Sequence, residues 1–252
     1  MTHHRVRVAR SRAAVVVAAA VVVAAVGGCT QPPLVAPAPP PPSATVRMGW
    51  WAAGDSLFGG HGGVPAAPAY LPDAQIIARS GNTLAPVQLF GVPQPTVRQQ
   101  IESTIARLGT PERLIVHAGV ADLVARAVWG FDFPLERYAA AIAELDEWLG
   151  GLGVLVFWTS LMPVASWSTP GSTGQDSVRQ HLNAALREQV GERFIDCEDA
   201  MTGPGGRWIA PGLVQADGVH VSLAGAFAHA NCISADLAQR HGLDLPVVTA
   251  EG

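Results

Sequence analysis

The stretch VRMGWWAAGDSLFGG, residues 46–60, decides how the rest of the chain is read. Val46–Ala53 is an apolar run that breaks at Gly54, Asp55 and Ser56. A short apolar run closed by turn-forming residues reads as a buried strand ending in a tight turn. Ser56 then lies just past the strand end, where a side chain is accessible. It is either a nucleophile or an ordinary turn serine. Which of the two holds depends on what the other strands bring to the same rim.

From residue 46 onward, predicted strands and helices alternate. The strands are Val46–Ala53, Ala74–Ala78, Arg113–His117, Val154–Trp158 and Arg193–Asp196. The helices are Thr96–Leu108, Pro134–Leu149, Ser177–Val190 and Ser222–Arg240. In the first of these, Val97, Ile101, Ile105 and Leu108 recur at helical spacing. Nearly continuous apolar strands separated by helices imply a parallel sheet covered on both faces, an α/β architecture. In such sheets the reacting groups gather at the carboxyl ends of the strands. Those ends carry Gly54-Asp55-Ser56, Ser80-Gly81-Asn82, Gly119-Val120-Ala121-Asp122 and Thr159-Ser160, with Asp217-Gly218-Val219-His220 just before the last helix.

A serine hydroxyl is a poor nucleophile until a base takes its proton, and that base must be held in one tautomer by a third group. His220 is the candidate base. Asp217, three residues earlier, is the candidate orienting acid. The developing oxyanion needs donors aimed at it, and the backbone N–H groups of Ser56 and Gly81 are candidates.

With these residues in place, the chain resembles the SGNH hydrolases of the GDSL type. GDSL at 54–57 matches the nucleophile block, SGNT at 80–83 the second block, and DGVH at 217–220 the last block. GVAD at 119–122 falls where the third block belongs. The resemblance covers roughly residues 46–241. GDSL alone is a weak signal, whereas three blocks in order at strand ends are a specific one. The resemblance implies a flavodoxin-like three-layer α/β/α sandwich on a parallel five-stranded sheet. It also implies hydrolysis of acyl esters by Ser56, His220 and Asp217, with no metal and no cofactor. One position departs from the family pattern. The third block is normally G-x-N-D, its asparagine donating to the oxyanion, and here that position is Ala121. Losing one such donor typically costs about 10²–10³ in turnover. Asn82, beside Gly81, is the nearest replacement donor in sequence. The alternative function is a non-catalytic envelope binding protein that keeps the triad as a relic.

Other residues have plainer readings. Asp55 is expected to stabilise its turn, and Asp122 to make structural bonds in its loop. His117 reads as a core or rim histidine satisfied by backbone. His61, in GGHGG, reads as a solvated loop histidine that could line the site entrance. Trp50 and Trp51 belong to the core. Trp167 and Trp208 are candidates for an apolar wall around an acyl chain or sugar, or for plain packing. No H-E-x-x-H, paired C-x-x-C, G-x-G-x-x-G, P-loop or G-x-S-x-G is present.

The N-terminus bears on location. Residues 1–12 hold four arginines and no acid, and residues 13–26 are wholly apolar. This is a secretory signal, and its apolar stretch is too short for a comfortable permanent span. It ends in VGGC, which resembles a bacterial lipobox with Cys29 as the lipidated residue; the alternative is plain secretion. The division expected is a signal over 1–28, a lipidated cysteine and proline-rich stalk over 29–45, the hydrolase domain over 46–245 and a tail over 246–252. The protein is then anchored by lipid to the outer face of the cytoplasmic membrane. Its partners would be that membrane and an acyl-ester substrate, whether glycan, lipid or small ester.

The formal net charge is −4 over 252 residues, and all basic residues are arginine. Loss of the signal removes four of them and no acid. No basic run follows residue 12, so nothing points to nucleic acid. Cys197 and Cys232 form a disulfide in that oxidising compartment, or stay as two buried thiols.

Overall fold

The computed structural model describes residues 48–247, apart from 72–73, 90–91, 130–134, 166–172 and 203–208. The signal segment, Cys29, the proline-rich stretch, Trp167, Trp208 and most of the C-terminal tail lie outside the described residues.

Five strands form one parallel sheet. They are β1 (Met48–Gly54), β2 (Ala74–Ile76), β5 (Pro111–His117), β6 (Leu155–Thr159) and β7 (Phe194–Ile195), in the spatial order β2-β1-β5-β6-β7. A separate two-residue ladder, β3 (Gln88–Leu89) with β4 (Val92–Pro93), stands outside this sheet. Setting the ladder aside, the order is that of the flavodoxin-like doubly wound fold. The order reverses between β1 and β5. That gap is the switch point, where chains leave neighbouring strands in opposite directions and open a crevice.

Both faces of the sheet are covered, which explains why its strands lack polar alternation. Along β1, Trp51 and Ala53 pack on one side with Leu114, Val116, Val156 and Trp158. Against them lie α2 (Val97–Leu108), α3 (Val120–Trp129), α4 (Leu135–Gly151) and α5 (Thr173–Val190), through residues such as Ile101, Leu123, Ile142 and Leu186. Trp50 and Ala52 pack on the other side with Ile115, Phe157 and Ile195. Phe58 of α1 (Ser56–Gly59) and Ala230, Ile233 and Leu237 of α7 (Leu223–His241) cover that face. Both tryptophans belong to the core, as the sequence predicts. The three-layer α/β/α sandwich implied by the resemblance is the observed architecture.

Local chemistry fixes the helix ends. Thr96 and Gln99 form a reciprocal capping box at the start of α2. Ser222 caps α7 by accepting from the Gly225 N–H at 3.1 Å. Helix α6 (Glu198–Thr202) follows β7. A disulfide joins Cys197, beside β7, to Cys232 of α7, closing a separation of 35 residues. In the chain-entropy view a loop of that length contributes roughly 4 kcal/mol.

Candidate active site

Strand β1 delivers Ser56. Gly54, which ends the strand, has φ of 152°, and a Cβ there would sit 1.9 Å from the His117 carbonyl oxygen. Only glycine allows β1 and β5 to approach this closely at the point where the chain turns. Asp55 follows, fully buried. Its Oδ1 accepts the Leu57 N–H at 3.0 Å and caps α1. Its Oδ2 accepts the Ala121 N–H at 3.2 Å. One carboxylate thus ties the turn bearing Ser56 to the start of α3. That is the turn-stabilising part expected of Asp55.

His220, the candidate base, arrives on a short hairpin. Val214 pairs with Val221, the Gln215 N–H donates to the His220 carbonyl at 2.7 Å, and the Ser222 N–H donates to Leu213 at 3.0 Å. At the tip, Asp217 Oδ1 accepts the N–H groups of Val219 and His220 at 2.9 and 3.0 Å. Asp217 Oδ2 lies 2.6 Å from His220 Nδ1, and His220 Nε2 lies 2.8 Å from Ser56 Oγ. An ionised carboxylate only accepts, so Nδ1 carries the ring proton and Nε2 is left to accept from the serine. Partial burial pushes Asp217 up, but the bonds from His220 and the two backbone N–H groups outweigh it and hold the carboxyl below its ordinary range. The structure therefore brings Ser56, His220 and Asp217 into one continuous chain across 164 residues.

The oxyanion side is less complete. Neither the Ser56 N–H nor the Gly81 N–H donates to another described group, so both are free to serve a ligand. Ala121 offers only a methyl group, and its N–H is spent on Asp55. The sequence offers Asn82 as a candidate replacement donor. Asn82 is buried, and its Nδ2 donates to Gln100 Oε1 on α2. Asp122 is structural, as expected: its two oxygens accept the N–H groups of Leu84 and Ala85 at 2.8 and 3.1 Å, fastening the second-block loop to the third. Burial pushes its carboxyl up to about 7 despite those bonds.

Two histidines, His61 and His117, depart from the sequence reading, and a third, His229, is not singled out by it. His61 lies flat on His220, with ring centroids 3.7 Å apart and planes within 7°. A turn fixes it there. The His61 N–H donates to Val64 at 3.1 Å and the Val64 N–H donates back at 2.9 Å. Gly62 and Gly63 between them have φ of 59° and 81°. Positive φ at both central residues is what a two-residue hairpin turn of the primed type demands. The paired glycines after His61 were the signal in the sequence that this loop holds a set shape. Burial and the neighbouring His220 lower the affinity of His61 for a proton, while Asp217 opposes them. His117 is fully buried, but backbone does not satisfy it: neither ring nitrogen has a hydrogen-bond partner, and Asp55 Oδ1 is 3.7 Å from its Nδ1. His229 of α7 is equally buried and unpartnered, its ring 5.7 Å from that of His117. Burial, then His117, lowers it to about 3.

No family model matches the chain, and no curated protein matches it in sequence. Solved structures do match in three dimensions. A Bacteroides fragilis protein assigned to the acylhydrolases aligns at 17% identity over 77% of this chain and 88% of its own, with a TM-score of 0.57. A GDSL-like lipase from Bacteroides thetaiotaomicron aligns at 17% identity over 74% and 85%, with a TM-score of 0.53. The fold is that of the SGNH hydrolases. The acetylxylan esterase Axe2 from Geobacillus stearothermophilus shares this fold at 15% identity, over 75% of this chain and 94% of that one, with a TM-score of 0.51.

Proposed function

We propose that this protein is a serine ester hydrolase. The observation that carries the reading is the unbroken hydrogen-bond chain from Ser56 through His220 to Asp217 at the switch point of the sheet. Ser56 Oγ attacks the acyl carbonyl carbon while its proton passes to His220 Nε2. The imidazolium so formed is held by the Asp217 carboxylate. The carbonyl oxygen becomes an oxyanion that accepts from the N–H groups of Ser56 and Gly81. Collapse expels the alcohol, which takes the proton from His220. Water then attacks the acyl-serine by the same route and releases the acid. An alcohol in place of water makes the reaction an acyl transfer. Acylated glycans, lipids and small esters are the substrate classes, and the likeness to an acetylxylan esterase supports the first of these.

Ala121 supports a second reading, in which the pocket binds without turnover. The two are separated by hydrolysis of a short-chain p-nitrophenyl ester by the wild type, Ser56→Ala and Ala121→Asn. The hydrolase reading expects turnover that vanishes in Ser56→Ala and rises in Ala121→Asn, by up to about 10²–10³ if the restored amide reaches the oxyanion. Rates equal to Ser56→Ala in all three proteins, with no labelling of Ser56 by a serine-reactive phosphonate, would leave the binding protein.

The envelope location rests on the sequence pattern around Cys29. Two acyl chains and an N-acyl group on Cys29 would hold the protein at the membrane surface. Expression in a bacterial host with labelled palmitate should give a labelled, membrane-bound product, and Cys29→Ala should be unlabelled and released. Equal recovery in the soluble fraction would favour plain secretion.

A further inference from the structure

His61 has no part in the reaction just described, yet it is held against the base. Its Nε2 makes no hydrogen bond among the described residues and points to Asp217 Oδ2 at 4.0 Å. The same oxygen faces His220 Nδ1 at 2.6 Å. Each of the three side chains thus offers one ligand atom, and these atoms lie within 4.8 Å of one another. Two imidazoles and a carboxylate are a donor set that divalent zinc accepts, with water in the remaining position.

We propose that His61, Asp217 and His220 form a reversible site for a zinc-like divalent cation, and that its occupation switches the hydrolase off. The switching part rests on the serine hydrolase reading above. The site has the supports that such a centre needs. Asp217 Oδ1 is fixed by two backbone N–H groups. The His61 carbonyl accepts from Gln215 Nε2 at 3.4 Å, and the glycine turn sets the ring's direction. Access is open, since 38% of the His61 side chain and 26% of Asp217 remain exposed. Ligand atoms on one tetrahedral ion at about 2.0–2.1 Å lie about 3.3 Å apart. His61 Nε2 must therefore close on Asp217 Oδ2 from 4.0 Å, His220 Nδ1 must part from that oxygen beyond its 2.6 Å, and the stacked rings must tilt toward the shared ion. The His61 side chain, 38% exposed, can supply its share of that movement by rotation about its own bonds.

Inhibition follows from proton placement. In the triad, His220 carries its proton on Nδ1 and accepts at Nε2. A cation takes the Nδ1 lone pair, so the single ring proton moves to Nε2, with no net proton released from the ring. Asp217 Oδ2 exchanges its hydrogen bond for a metal bond. His220 then donates toward Ser56 instead of accepting from it, and the serine proton has nowhere to go.

The test uses the full chain without a histidine tag, zinc chloride as the probe and magnesium chloride as the control. Two measurements are needed. Calorimetry on Ser56→Ala reads binding with no activity involved. The expected result is one zinc per chain, lost or weakened at least tenfold in Ser56→Ala/His61→Phe, with no magnesium binding. Ester hydrolysis reads the switch. Zinc should lower kcat/KM of the wild type and a chelator should restore it. In His61→Phe, which keeps a flat ring on His220, the half-inhibitory zinc concentration should rise at least tenfold relative to that variant's own metal-free rate. Absent binding, or binding indifferent to His61, overturns the site. Binding that depends on His61 but leaves ester hydrolysis untouched overturns the switch. Binding that depends on His61 in a chain with no hydrolysis at all keeps the site and removes the hydrolase reading instead.

Discussion

At the scale of single residues, the site is organised by carboxylates that do not react. Asp55 holds Leu57 and Ala121 through separate oxygens, and Asp122 holds Leu84 and Ala85 in the same way. Together they lock the nucleophile, second-block and third-block loops to one another. Asp55→Asn tests this. An amide has one acceptor oxygen and one NH₂ group, so one of the two N–H donors would face another donor. The buried bond lost costs about 1–3 kcal/mol. Melting should fall by several degrees. Ester kcat should fall more than KM changes, because Ser56 and its neighbouring N–H groups lose their fixed spacing. A variant with wild-type melting and wild-type kcat would show that the lock is unnecessary. Much of the residue scale was legible in the sequence, for a physical reason. Ser56 is announced by the glycine before its strand turn, and Asp217 and His220 share one short loop. The bond from the Asn82 amide to Gln100 on α2 was not legible, because side-chain direction depends on the turn. His61 was underread because its contact with His220 spans the whole domain and has no local mark beyond two glycines.

At the scale of elements, hydrophobic period was a sound guide where segments were long. Helices α2, α4, α5 and α7 and the five sheet strands all lie close to where apolar spacing put them, with ends shifted by a few residues. Short or abrupt elements escaped. Helix α3 begins at Val120, directly on the third block, and the GVAD motif masked it as a loop. Its early start has a function, since it aims the Ala121 N–H at Asp55 and turns Asp122 toward the second block. Helix α1 is four residues long and owes its existence to the Asp55 cap, not to its own periodicity. The β3–β4 ladder is two residues per strand, too short for any alternation to register. The elements that shape the site are therefore the ones least visible in pattern, because tertiary bonds specify them.

At the scale of the whole molecule, the sheet order places Ser56 and the start of α3 on either side of the switch point, and the hairpin before α7 brings His220 to Ser56. Behind that junction lies a buried pair, His117 and His229, packed with Phe58 and close to Asp55. Within it, His229 makes the fold sensitive to acid. His229 is lowered to about 3 by burial and by His117, against an ordinary value near 6.5. Its folded form is neutral, while the unfolded chain takes up a proton below about 6.5. The stability tied to this neutral ring is therefore present above 6.5 and drains away as pH falls toward 3. Between pH 7 and pH 4 the loss amounts to about 3 kcal/mol. Asp122 works in the opposite direction. Its carboxyl is raised to about 7, so the folded state prefers it protonated and gains stability as pH falls through 7 toward its ordinary value near 3.8. The two opposing contributions make the wild-type profile alone a poor test, and the difference between proteins a good one. Denaturant unfolding of wild type and His229→Leu at pH 7 and pH 4 should show the variant gaining about 3 kcal/mol on the wild type at the lower pH, with Asp122 common to both. At pH 7 the variant should match or exceed the wild type, since leucine removes two buried nitrogens that have no partner. A difference that stays constant between the two pH values would mean that His229 takes up its proton in the folded state as readily as in the unfolded chain, and that the ring is better solvated than its burial implies.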